Sequence, residues 1–119
     1  MARGRKQVSC PAEITLDVIS GKWKLLILQQ LYEKVNRFGE LHRALNGISE
    51  KVLSQELRDL EKHGIITRKS YAEIPPKVEY AITPLGKRLQ PVVTSMQEWG
   101  LAYLEKRRDE AADSGGRPN

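Results

Sequence analysis

The stretch NGISEKVLSQELRDLEKHG, residues 46–64, reads as a turn, a capped helix and a stop. Asn46 and Gly47 both tolerate positive φ, so they mark a tight turn. Ser49 follows as an N-cap whose hydroxyl can accept a backbone N–H. Leu53, Leu57 and Leu60 recur at helical intervals and define the buried face of a helix from Ser49 to His63. Gly64 then ends it as a left-handed cap. With the leucines inward, Glu50, Lys51, Ser54, Gln55 and Arg58 fall on the opposite side. One stripe thus offers ammonium, hydroxyl, amide and guanidinium groups. Arginine can bond two guanine acceptors, glutamine can pair with an adenine edge, and lysine and serine suit bases or phosphates. The helix start at Ser49 can hold a phosphate oxygen on backbone N–H groups. An ordinary solvated helix also has a polar outer face, so the meaning of the stripe depends on what flanks it.

Upstream, Gly39–Leu45 is expected to be a short helix with Phe38, Leu41 and Leu45 inward, preceded by a turn or very short strand at Asn36-Arg37-Phe38. A longer helix, Lys22 to Glu33, carries Trp23, Leu26, Ile27 and Leu31 on one face, widened by Leu25 and Leu28. A first helix begins at Cys10-Pro11, with Ile14 and Val18 on its apolar side, and breaks at Gly21. Downstream, Ile65–Tyr71 and Lys77–Ile82 are β-rich. The second alternates, with Val78, Tyr80 and Ile82 on one face, and Ala72–Pro76 joins the two as a hairpin tip. Arg68, Lys69 and Lys77 flank that tip, where they could meet phosphate or a minor groove, or serve only solubility. Arg37 could likewise touch phosphate or pair with Glu40. Thr83-Pro84 opens the last helix with a hydroxyl cap and a proline at the first position. Its stripe is Leu85, Leu89, Val92 or Val93, Met96, Trp99 and Tyr103, with a kink predicted at Pro91.

Helix, turn, helix, then a two-stranded hairpin is the order of a winged helix-turn-helix. The expected fold is therefore mainly α with a small β-hairpin. A basic arm occupies residues 1–8, the domain residues 9–108, and a disordered polar tail residues 109–119. The apolar stripe of the last helix exceeds what so small a domain can cover, which invites a partner copy.

Composition agrees with this reading. At 119 residues the chain has room for one core. A net charge of +5 favours a polyanionic partner such as double-stranded DNA. No apolar run approaches the length of a membrane span, and the N-terminus lacks the apolar stretch of a secretory signal, which makes the cytoplasm the default compartment. Cys10 is the single cysteine and the two histidines, His42 and His63, have no partners at ligand spacing, so neither a metal nor a cofactor is expected. No catalytic motif stands out, and an enzyme is not expected. A winged helix whose polar face docks a protein remains an alternative at this point. So does a regulator with a small-molecule effector and no redox role.

Several blocks recur in order that resemble the HxlR-type regulators. They are Cys10-Pro11, Gly21-Lys22-Trp23 running into Leu26-Ile27-Leu28, Arg37-Phe38 with Glu40-Leu41, and Ile48-Ser49 through Leu53-Ser54, Leu57-Arg58 and Leu60-Glu61 to Gly64. Pro75-Pro76-Lys77-Val78-Glu79-Tyr80, Thr83-Pro84 with Gly86, and Trp99-Gly100 complete the set. The resemblance implies a cytoplasmic, dimeric regulator, often a repressor, that reads a palindromic operator. It places the recognition helix at Ser49–His63 and the wing at Arg68–Lys77. It pairs the first and last helices across a homodimer, through Ile14, Val18, Leu89, Val93, Met96, Trp99 and Tyr103. Members that sense oxidants use a thiol at the position of Cys10, where a helix start and nearby cations would favour thiolate.

Overall fold

The computed structural model describes residues 10–115. Residues up to Lys87 form one compact unit and those from Arg88 onward a second. The first contains α1 (Ala12–Val18), α2 (Lys22–Glu33), β1 (Asn36–Arg37), α3 (Phe38–Ala44), α4 (Glu50–Lys62), β2 (Ile66–Tyr71) and β3 (Lys77–Ile82). Next come α5 (Pro84–Arg88) and α6 (Gln90–Gly115). The strands make one antiparallel sheet in the order β1-β3-β2. The short strand expected near Asn36 is thus the third member of the hairpin's sheet.

The decisive segment folds as its residues dictate. Gly47 has φ +89°. Ser49 is the N-cap of α4, and its Oγ accepts the Val52 N–H at 3.1 Å. At the far end Gly64 has φ +75°, the Ile65 N–H bonds the Leu60 carbonyl at 3.0 Å and the Gly64 N–H bonds that of Glu61 at 2.9 Å. This paired closure satisfies carbonyls that the helix end would otherwise orphan, and only glycine adopts that φ without strain.

Leu53, Leu57 and Leu60 are buried, with Ile27, Leu28 and Leu31 of α2, Leu41 and Leu45 around α3, and Ile48, Ile65, Ile66 and Tyr80. One expectation shifts here. The buried row of α2 is Lys24, Ile27, Leu28 and Leu31, whereas Trp23, Leu25 and Leu26 are part-exposed. The row starts on a lysine because its ammonium is answered. Lys24 Nζ lies 2.6 Å from Glu56 Oε1 and 3.1 Å from Asp59 Oδ2, both on α4. Burial opposes its charge, but the two carboxylates outweigh it and raise the Lys24 pKa above its ordinary value.

Thr83 joins α4's end to α5. Its Oγ1 lies 2.6 Å from the Gly64 carbonyl oxygen and 3.0 Å from that of Ile65, and accepts the Gly86 N–H at 3.0 Å. Gly86 is buried, and its carbonyl accepts the Tyr32 hydroxyl at 2.7 Å. A Cβ at Gly86 would collide with the Ile65 carbonyl oxygen, so the position admits no larger residue without movement.

The last helix departs from expectation twice. Rather than kinking, it is interrupted at Leu89 and resumes as α6, because Pro91 has no N–H to continue the ladder. It also continues through residues 109–115, which were expected to be a disordered tail. The run Asp109-Glu110-Ala111-Ala112 has good helix formers, and Lys106 pairs with Glu110 one turn on at 3.9 Å. The basic arm at residues 1–8 lies outside the described residues.

Candidate nucleic-acid interface

Three flanks of α4 now have different jobs. The leucine row faces the core. Glu56 and Asp59, at i and i+3, form the flank bound to α2, and His63 at the helix end bonds back to Asp59. His63 Nδ1 lies 2.9 Å from the Asp59 carbonyl oxygen, and Glu56 and Asp59 are held by Lys24. The remaining side presents Lys51, Gln55 and Arg58, all exposed, with Ser54 half-buried beside them. None of these four side chains has a hydrogen-bond or ion-pair partner among the described residues. Lys62 continues the same row at i+7 from Gln55 and is also exposed. Sequence reasoning passed over it, although the spacing alone places it there. Ser49 is exposed, but its oxygen is already committed to the Val52 N–H. The backbone N–H groups of the first turn, rather than that hydroxyl, are what it can offer a phosphate.

The wing cations do not form one cluster. In an antiparallel sheet, directly opposed residues point to the same face. Arg68 opposes Tyr80 and Ser70 opposes Val78, so Arg68 is on the face turned to α4. Its guanidinium donates to Ser70 Oγ at 3.2 Å. Lys69 opposes Glu79, Tyr71 opposes Lys77, and on the other edge Arg37 opposes Glu79. Arg37, Lys69 and Lys77 therefore share the other face with Glu79 among them. Both lysines lie over the Tyr71 ring, Lys69 at 5.1 Å and Lys77 at 4.3 Å. Lys77 is further answered by Glu73 at 3.7 Å and Glu79 at 3.8 Å. Of the three wing cations singled out from sequence, Lys77 has most of its charge spent within the wing.

Arg37 is exposed and stands next to α3. Its backbone N–H, not its guanidinium, bonds Glu40 Oε1 at 2.7 Å. That bond, aided by Lys34 at 3.7 Å, lowers the Glu40 pKa below its ordinary value. The guanidinium is exposed, and its positive charge adds to the lowering of the Glu40 pKa.

Along α6, Val92, Met96, Trp99 and Tyr103 are exposed at i, i+4, i+7 and i+11, and Trp99 stacks on Tyr103 with ring centroids 5.3 Å apart. Leu101 and Leu104 are exposed as well. Val93, which the sequence assigns to the partner surface, is buried. Its neighbour Val92 carries the exposed stripe instead. In α1, Ile14 and Leu16 are exposed and Val18 is half-buried; Leu89 is half-buried too. Cys10 is exposed just ahead of Pro11, the N-cap of α1. The cations expected near it, Arg5 and Lys6, lie outside the described residues. No described helix is long and apolar enough to cross a membrane.

A helix-turn-helix followed by a small antiparallel wing, with an unpartnered polar row on the second helix, defines a winged helix-turn-helix protein. The family model for HxlR-like helix-turn-helix proteins matches residues 18–108. The chain belongs to that family and is a helix-turn-helix transcriptional regulator. Among its relatives is YdeP of Bacillus subtilis (strain 168), an uncharacterized HTH-type transcriptional regulator. It is 42% identical over 97 residues, spanning 82% of this chain and 76% of that one. The fold is also similar to that of the redox regulator HypR. Its reduced form superposes with a TM-score of 0.76 at 41% identity, covering 87% of this chain and 99% of that one. Its oxidized form gives 0.73 at 44%, covering 78% and 96%.

Proposed function

We propose that the chain is a sequence-specific DNA-binding repressor that acts as a homodimer on a palindromic operator. The observation that carries the reading is the row Lys51, Gln55, Arg58 and Lys62 on α4. It is exposed and has no bonding partner among the described residues, while the leucine row is buried and Glu56 and Asp59 are held by Lys24. Gln55 and Arg58 can read base edges; Lys51, Lys62, Arg37 and Lys69 neutralise phosphates. The apolar stripe of α6 supports pairing of two copies. Two recognition helices related by a two-fold axis then read half-sites about one helical turn apart.

A second element is a redox response through Cys10. Its exposure supports this, as does similarity to a regulator solved in oxidized and reduced forms. One thiol per chain allows an intersubunit disulfide, a mixed disulfide or an adduct.

The test is anisotropy of a labelled promoter fragment over a salt series, with sedimentation to give the oligomeric state. The reading expects tight binding at low salt and a steep fall as salt rises. Binding of a protein from the same extract that ignores salt, with no DNA affinity at low salt, would select a protein-docking role for α4 instead. For Cys10, a thiol oxidant should weaken DNA binding of the native chain and leave Cys10→Ser unaffected.

A further inference from the structure

A groove of about 430 Å3 opens beside the reading row, between α4 and the sheet. Phe38, Val78 and Tyr80 make its apolar lining. Ser54, Arg58 and Glu61 of α4, at i, i+4 and i+7, edge one side, and Arg68 of β2 the other. The volume falls in the range of small-molecule sites, roughly 300–1,000 Å3.

Three features of the groove are unspent. The Arg58 guanidinium and the Glu61 carboxylate have no side-chain partner among the described residues. Tyr80 is 7% exposed, yet its hydroxyl bonds to no described group. That oxygen is not sealed from solvent, and the surface Tyr80 lines is this groove. Buried phenols ordinarily find a partner. Here the partner has to enter from outside.

The geometry points to a binding site for a small aromatic carboxylic acid that carries a hydroxyl or amino substituent. Two arginines line the groove, Arg58 without a partner among the described residues and Arg68 with one bond to Ser70, and such a pair suits a carboxylate, which accepts bidentate bonds from arginine. The rings of Phe38 and Tyr80 and the methyls of Val78 suit a flat apolar body. The Tyr80 hydroxyl and the Glu61 carboxylate suit a donor at its other end. A DNA strand fits less well. Its backbone brings successive phosphates joined by puckered sugars rather than one flat ring, and Glu61 would repel the second phosphate.

The site would also regulate. An acid held by Arg58 removes that side chain from the reading row and places negative charge beside the duplex, so acid and DNA compete. That competition rests on the DNA-reading role proposed above; acid binding itself does not.

The test is a backbone-amide NMR titration of the full chain with 4-hydroxyphenylacetate. Controls are 2-(4-hydroxyphenyl)ethanol, which lacks the carboxylate, and acetate, which lacks the ring. Arg68→Met removes one guanidinium and Val78→Trp fills the groove, with thermal melts to establish that each variant folds. The expected result is saturable shifts centred on Ser54–Glu61 and Arg68–Tyr80. Affinity should be about tenfold or more weaker for either control and either variant, since bonds to charged groups are worth that much. The acid should also release a bound promoter fragment. Absence of saturable shifts in the folded chain, or equal binding by Arg68→Met and Val78→Trp, would overturn the site. DNA binding without acid binding sinks this inference and leaves the proposed function standing; acid binding without DNA binding does the reverse.

Discussion

At the scale of single residues, charge is the variable that sorts contacts by role. On the proposed function, replacing Gln55 or Arg58 with alanine removes a base-reading group. It should relax choice at one operator position, with loss of about tenfold or more on the preferred sequence and little on random DNA. Replacing Lys69 removes a phosphate partner, so every sequence should weaken alike and the salt dependence should become shallower by about one counterion. Competitive anisotropy over salt separates the two patterns. Glu79 works in the opposite sense. It faces Arg37 and Lys69 across the strands and lies 3.8 Å from Lys77, so it holds down the positive potential of that wing face. Glu79→Gln should therefore tighten DNA binding by about two- to fivefold at low salt, the scale of an exposed ion pair. Unchanged or weaker binding would show that this face does not meet DNA. The exposed row of α4 was legible in the sequence because leucine spacing fixes which side of a helix is outside. The division of the wing cations was not, since strand register, which no local pattern reports, decides it.

Elements hold their places through a few contacts between them. Lys24 ties α2 to α4 through Glu56 and Asp59, and so helps fix the rotation of α4 about its own axis. Lys24→Met leaves two carboxylates unpaired, both still in contact with water. It should cost about 1–3 kcal/mol, below the cost of breaking a fully buried pair. The sign with pH follows from the raised pKa of Lys24. Its contribution is complete below its ordinary value of 10.5 and is lost as pH rises through the higher folded value. Urea melts of the native chain and of Lys24→Met should differ at pH 8 and converge as pH rises past the raised folded value. Divergence that grew with pH would contradict this assignment. Gly86→Ala drives a methyl into the Ile65 carbonyl oxygen and should lower stability by about 1–3 kcal/mol, seen as a drop in Tm. The limits of α2, α3, α4 and the hairpin strands were readable to within a residue or so, with Ser49 and Gly64 marking α4, whereas the break at Leu89 and the extension of α6 to Gly115 were not. What misled was Lys24, because a lysine breaks an apolar pattern on paper, while its stem is buried and only its head needs an answer.

For the whole molecule, the exposed stripe Val92, Met96, Trp99 and Tyr103 is the surface that a second copy would cover. Trp99→Glu should abolish dimers in sedimentation while leaving the far-UV helical signal intact, and a monomer should lose operator affinity far more than non-specific affinity. A Trp99→Glu protein that still sediments as a dimer would move the interface elsewhere. The stripe itself was visible in the sequence. That Val93 is the buried one of the pair was not, because Val92 and Val93 both fit the spacing of the stripe. Whether one row of α4 reads base edges is decided by selecting bound fragments from a random DNA pool with the native chain and with Gln55→Ala. The account predicts a two-fold symmetric motif for the native chain and loss of preference for Gln55→Ala at one symmetry-related pair of positions, the rest unchanged. Identical motifs from both proteins, or no motif from the native chain at any salt, would contradict it.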